Sequence, residues 1–217
     1  MNIAAIATTR RTCKAFDPAR KVDPALIEQL KTLLRFAPSS VNSQPWHFIV
    51  ASSAEGKEKI AATLAGRFEY NAPKVRNASH VVVLCVRRDL DDAHLQALVE
   101  QEDRDGRFAT PEARETQHNA RVFYTTLHRD QLADLPRWTE KQIYIALGSL
   151  LFGAAALGID ACPMEGIDAA AIDAALGLEA QGLRCVLLTA LGYSGEQDFN
   201  AKLPKSRLAE ASVISEI

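Results

Sequence analysis

Apolar positions along this chain recur in two rhythms, one helical and one strand-like. Leu26, Ile27, Leu30, Leu33 and Leu34 repeat at helical spacing behind Asp23-Pro24, an N-cap acid followed by proline at the first helical position. Pro38 ends that helix. A shorter helix precedes Arg10, and another is expected from about Ala54 to Leu64. Ser79 to Val86 is a continuous, β-branched apolar run, the pattern of a strand covered on both faces. Trp46 to Val50, Asp160 to Met164 and Leu183 to Leu191 supply three further strands, with a short helix from Asp168 to Leu176 between the last two. From about Trp138 to Leu157 the pattern is apolar nearly all round, with Ala, Gly and Ser interspersed. Such a helix sits at the centre of a protein or against a symmetry mate.

The segment from about Asp91 to Gln131 breaks this rhythm. It is helical but polar, interrupted at Asp105-Gly106 and Pro111, with Phe123 and Tyr124 as its notable aromatics. Too little apolar surface is present for a buried element. An excursion over a pocket or onto a partner is expected, beside the plainer reading of ordinary packing against the domain. With no linker, repeat or low-complexity tract, the whole pattern predicts one α+β domain over residues 1–217, rich in helix and poor in strands.

Charge and cysteine usage narrow the classes. The net charge of −2 argues against a nucleic-acid binder, which carries a basic face. Four widely spaced cysteines, Cys13, Cys85, Cys162 and Cys185, form no C-x-x-C, which points to reduced thiols in the cytoplasm. The five histidines lack metal-ligand spacing, so no metal site is expected. Ile143 to Ile159 is too short and glycine-interrupted for a membrane span. Fingerprints for dinucleotide binding, for a P-loop and for a nucleophile elbow are all missing. A thiol hydrolase built on Cys162 and His47 has nothing local to activate the thiol.

Against this slightly acidic background stand two basic cassettes, Arg10-Arg11-Thr12-Cys13-Lys14 and Lys205-Ser206-Arg207. Guanidinium offers paired planar donors that match phosphate oxygens, and lysine adds a mobile charge. If folding joins the chain ends, the cassettes form an anion clamp of phosphomonoester size. Three polar elements accompany them. Pro38 to Gln44 holds three serines, an asparagine and a glutamine; Asn71-Ala72-Pro73-Lys74 sets an amide three residues from an ammonium; Pro163-Met164-Glu165-Gly166 ends a strand in a glycine that permits close approach.

Taken together, Lys14 to Asp17, Pro38-Ser39-Ser40, Asn42 to Ala51, Asp103 with Asp105 to Ala113, Asp198 to Ala201 and Leu203 to Leu208 closely resemble the oxygen-insensitive NAD(P)H nitroreductases of enterobacterial type, within the FMN-dependent nitroreductase family. The similarity runs the length of the chain. It implies a nitroreductase-like fold, a central mixed β-sheet surrounded by helices, and an intertwined homodimer with FMN at the subunit interface. It implies that Arg10, Lys205 and Arg207 meet the FMN phosphate, with Arg11, Thr12, Cys13 and Ser206 in the same cassettes. Lys14, Asn71 and Lys74 would face the polar edge of the flavin, and Pro163, Met164, Glu165 and Gly166 would lie near its N5. Pro38, Ser39, Ser40 and Asn42 would come from the other subunit. Lys14, Val41, Phe68, Tyr70, Asn71 and Tyr124 would meet nicotinamide or substrate.

The activity implied is two-electron reduction of nitroaromatics and quinones, with NADH or NADPH as donor and ping-pong kinetics. A dihydropteridine or other flavin-linked reductase and a non-catalytic FMN-binding protein are the alternatives. Departures from the family pattern fall at Arg11, Thr12, Cys13, Val41, Tyr124, Met164 and Phe68-Glu69-Tyr70. They bear on donor preference and substrate range rather than on FMN binding.

Overall fold

A computed structural model describes residues 2–217. Its organising element is a four-stranded sheet in the order β1-β2-β4-β3, where β1 is Trp46–Ala51, β2 His80–Arg87, β3 Asp160–Met164 and β4 Leu183–Gly192. All three strand pairings are antiparallel. The expected mixed character is confined to one parallel bridge, Thr12 beside Ala161, which lays the N-terminal cassette along β3.

The apolar run of β2 is buried on both faces, as its composition requires. Val81, Val83 and Cys85 enter one core cluster, and Val82, Leu84 and Val86 enter the other. β4 follows the same alternation until its pairing register shifts between Leu84 and Cys85 of β2, leaving Val186 as the extra residue. One inserted residue reverses the facing of all that follow. Hence Leu183 and Cys185 share a core with Leu188 and Ala190, while Leu187 and Leu191 join the opposite one.

Helices close both faces. On one side pack α3 (Ala54–Ala61), α4 (Ala72–Asn77) and α8 (Ala169–Leu176). On the other pack α2 (Pro24–Arg35) and the 22-residue α7 (Leu135–Ala156), with α1 (Ile3–Thr9) beside α7. Glycine at position 153 of α7 gives α2 a close approach, because a Cβ there would displace the Leu33 Cδ1 methyl of α2. The caps match the sequence signals: Asp23 accepts from the Ala25 N–H at the start of α2, and Asp168 from the Ala171 N–H at the start of α8. Among the described residues no helix is long and apolar enough to cross a membrane.

The polar segment forms α5 (Asp92–Arg104) and α6 (Pro111–Thr126), followed by a π-helical turn, Leu127–Gln131. Here the expectation of an unburied excursion needs correcting. α5 buries Leu95, Leu98 and Val99, and Leu90, Leu95, Leu135 and Trp138 make a third, smaller core. His128 stacks on Trp138 at 4.4 Å and meets Asp134 through Nδ1 at 2.6 Å, which binds the π-helical turn to the start of α7. α6 buries Arg121 and Thr125, two polar residues, and so reads as exposed by composition.

Leu150, fully buried on α7, tests the double-sided core. Leu150→Ala is expected to lower unfolding stability by about 2–5 kcal/mol through lost burial and a residual cavity, measured by urea denaturation.

Candidate functional site

The two basic cassettes do converge. Thr8, Thr9, Arg10, Arg11 and Thr12 line a cavity of about 360 Å³ together with Asn200, Ala201, Leu203, Pro204, Lys205, Ser206 and Arg207. Lys205 ties the ends together by donating to the carbonyl of Ala7 and to that of Arg10 (2.6 Å). An ammonium has three donors, so one remains for a ligand. Arg207 donates only to the neighbouring carbonyl of Ser206, at 2.6 Å, leaving most of its donor fork uncommitted.

Two cassette residues depart from the expected role. Cys13 is fully buried; its N–H donates to the Ala161 carbonyl at 3.0 Å, and burial pushes its thiol pKa up to about 12. It supports the cassette from beneath. Arg11 turns its guanidinium inward, donating to Ser194 Oγ at 3.0 Å and lying 3.7 Å from Asp160. The twin arginine is therefore divided between the cavity and the interior.

From Thr12 the chain continues to Lys14, whose N–H donates to Asp198 Oδ1 at 3.0 Å. Beyond it lies a compact polar cluster. Lys74 Nζ donates to Asn71 Oδ1 at 2.7 Å and to the Tyr70 carbonyl at 2.9 Å, while Asn71 Nδ2 donates to the Gly166 carbonyl at 2.8 Å. Burial lowers the Lys74 pKa; Cys162 opposes this effect and Lys14 adds to it. Gly166 is held under Tyr70, since a Cβ would collide with the Tyr70 hydroxyl and approach Asn71 Nδ2 to 3.1 Å. Glu165 is exposed and accepts from the Tyr144 hydroxyl at 2.6 Å. Burial and that bond push the Tyr144 pKa up to about 12, keeping the phenol a donor. Pro163 is partly buried, Met164 lies in the core, and Phe68 is partly exposed.

The Pro38 to Asn42 segment lies elsewhere. Ser40 N–H donates to Gln142 Oε1 of α7 at 2.8 Å, and Ser39 Oγ accepts from the Gln44 N–H at 3.0 Å. Gln142 and Tyr144 are two residues apart on α7, about 200° around its axis. The Ser40 loop and Glu165 thus flank different sides of that helix within one protomer. Val41, Asn42 and Gln44 have φ of 47°, 51° and 40°, and a β-branched residue rarely adopts that region. The strain is held by a buried ion pair. Arg121, wholly buried, donates from one terminal nitrogen to both Glu102 oxygens at 2.8 Å and from Nε to the Val41 carbonyl at 3.1 Å. Asn42 Nδ2 donates to Glu102 Oε1 at 2.7 Å. Three residues on from Arg121, Tyr124 is exposed and meets Phe123 edge to face at 5.3 Å.

The thiol–imidazole reading has no geometric basis. Cys162 is buried in β3, with its pKa raised by that burial, and His47 is exposed on β1. These are the two edge strands of the sheet, separated by three inter-strand spacings of about 4.8 Å each.

Glu102, Arg121, Gln142, Tyr144, Ser194 and Asp198 were not among the residues expected at the site. In the sequence Arg121 and Glu102 look like members of solvated helix faces. The i, i+4 spacing of Arg121 and Thr125 puts both on one face of α6 without marking that face as buried.

The Nitroreductase family model matches residues 7–193 of this chain. An oxygen-insensitive NAD(P)H nitroreductase of Salmonella typhimurium is 46% identical over 217 residues, covering 100% of both sequences. The major NAD(P)H-flavin oxidoreductase of Aliivibrio fischeri is 34% identical over 207 residues, covering 95% of this chain and 94% of its own. The fold is shared with a candidate nitroreductase of Exiguobacterium sibiricum in complex with FMN, at a TM-score of 0.83, 24% identity, and coverage of 100% and 98%.

Arg121→Met would leave Glu102 buried without its partner, and is expected to cost about 3–5 kcal/mol of stability. Adding Glu102→Leu is expected to recover most of that loss, read by urea denaturation of the single and double variants.

Proposed function

This chain belongs to the nitroreductase family, and on that premise we propose that it is an FMN-dependent NAD(P)H oxidoreductase that reduces nitroaromatics and quinones. The single observation that carries the reading is the convergence of Arg10, Lys205 and Arg207 on one cavity; the Asn71–Lys74–Gly166 cluster adds a second polar element. That donor set fits FMN. Its cationic end suits a phosphate dianion, and its polar cluster suits the pyrimidine edge of a flavin.

In this reading Arg10, Lys205 and Arg207 hold the phosphate, with Thr12 and Ser206 as hydroxyl neighbours. Lys14 and Lys74 put positive charge beside the flavin edge, where negative charge gathers on reduction. Lys74 keeps its ammonium aimed by bonds to Asn71 and the Tyr70 carbonyl. Gly166, having no Cβ, allows close approach of its backbone. Bound FMN would supply two-electron hydride chemistry at N5, with NADH or NADPH as donor and a ping-pong order of donor and acceptor. No side chain is needed as nucleophile, which accords with the burial of all four thiols. Those unpaired thiols also support a cytoplasmic setting.

The reading includes a homodimer. Pro38, Ser39, Ser40 and Asn42 would complete the pocket from the second copy, and the position of the Ser40 loop across α7 from Glu165 favours that arrangement; Val41 and Tyr124 would meet nicotinamide or substrate. The C-terminal tail favours it too: Leu203, Leu208, Val213 and Ile214 are all exposed, as an arm that wraps a partner would be.

Anaerobic mixing of the FMN-loaded protein with NADH or NADPH tests the activity. Flavin bleaching, followed by recovery of the yellow colour on adding a quinone or a nitroaromatic, is expected. A protein that binds FMN and does not bleach with either donor would be a storage protein instead. Replacing Arg207 or Arg10 with alanine is expected to loosen FMN by about ten- to a hundredfold, measured by fluorescence titration, because each removes charge-assisted phosphate bonds.

A further inference from the structure

At the wall of the phosphate cavity, which Arg11 and Asn200 line, lies a polar group centred on Asp198. Asp198 has a wholly buried side chain. Its Oδ1 accepts the Lys14 N–H at 3.0 Å and the Asn200 N–H at 3.2 Å. Its Oδ2 lies 3.1 Å from the Ser194 hydroxyl and 4.0 Å from Arg11 Nε. Ser194 also reaches Asp160 Oδ2 at 2.8 Å, and Asn200 Nδ2 donates to the Thr12 carbonyl at 2.7 Å. One carboxylate therefore gathers groups from both ends of the chain, separated by 184 residues in the case of Lys14.

We propose that Asp198, with Arg11, Ser194 and Asn200, is the positioning centre of the phosphate clamp, fixing the tail that carries Lys205 and Arg207 against the cassette that carries Arg10. The inference rests on the FMN reading above. The tail is pinned at two points: at Asp198–Asn200, and at Lys205 through the carbonyls of Ala7 and Arg10. Everything between them is exposed, so the first pin sets where the second can reach. Without it, the clamp's cations would be carried on a loose tail, and their ordering would be charged against phosphate binding.

Arg11 acquires a task here. Two carboxylates below an anion site repel a phosphate, and Arg11, between Asp160 and Asp198, offsets that charge while bonding Ser194. It does so from a position on the cavity wall.

Asp198→Asn separates positioning from simple electrostatics, because the two predict opposite signs. Removing a negative charge from beneath the clamp would tighten FMN if charge alone mattered. Asparagine keeps an oxygen for the Lys14 and Asn200 N–H groups but puts an NH2 donor where Oδ2 faces the Ser194 hydroxyl and Arg11, and that mismatch would loosen it. Fluorescence titration of the apoprotein with FMN and with riboflavin, which lacks the phosphate, gives the readout. Wild type is expected to prefer FMN. Asp198→Asn is expected to bind FMN about tenfold more weakly with riboflavin affinity unchanged, and limited proteolysis of its apo form is expected to cut faster within residues 199–207.

Asn200→Ala, which removes the Thr12 link without changing charge, is expected to reduce the same preference, and it carries the test if Asp198→Asn does not fold. Variants that keep the full wild-type preference for FMN overturn the positioning role. A wild-type protein that binds riboflavin as tightly as FMN overturns the clamp itself, and this inference falls with it.

Discussion

The constraint on which this structure depends is the burial of β2 and β4 on both faces. Two central strands made of valine, leucine, alanine and cysteine require a helical layer on either side, and they leave almost no polar position inside the sheet. Functional groups are therefore displaced to the periphery: the end of edge strand β3, the loop before β1, the polar helices, and the two chain termini. The Val186 bulge belongs to the same constraint, because it lets one strand serve both cores without turning an apolar side chain outward. A site assembled from peripheral pieces must be tied together by something other than the sheet.

What ties it together is buried charge. Arg121–Glu102 holds the strained Val41–Asn42 turn to α5 and α6, and Asp198 holds the C-terminal tail to the N-terminal cassette. Each buried charge has opposite charge or several hydrogen bonds around it, as removal from water demands. Neither arrangement needs to contribute much net stability to be useful. Both convert flexible segments into fixed ones, and both make a break at one member costly to the rest.

This division explains how far the residues alone could be read. Most helices and strands were legible almost to their ends because local periodicity and capping encode them; Asp23-Pro24 and the run through Val86 are examples, while the short α4 was not foreseen. The convergence of the cassettes was legible as a possibility, since their chemistry suits a single anion. The buried charges were not. Arg121 sits in a helix of low apolar content, and nothing local distinguishes it from a solvated arginine. Arg11 finds Ser194 across 183 residues, a pairing that no window along the chain contains. Sequence alone leaves Arg11 without a definite task, and its bond to Ser194 is visible only in the fold. The polar α5–α6 segment was misjudged for the same reason, because its burial is achieved with ion pairs and a small satellite core rather than with an apolar stripe.

The contact of Gly166 with Tyr70 has a historical consequence. A methyl group at position 166 is blocked by the Tyr70 hydroxyl, whereas the nearest ring carbon would stand 3.4 Å away. Replacing Tyr70 by phenylalanine removes the hydroxyl and leaves the 3.1 Å approach to Asn71 Nδ2; replacing Gly166 first requires the exposed Tyr70 side chain to move as well. A lineage descending from this sequence can therefore reach alanine at 166 more readily in one order of substitution than in the other. The identity of an exposed aromatic thus decides which backbone changes are open to the site beneath it.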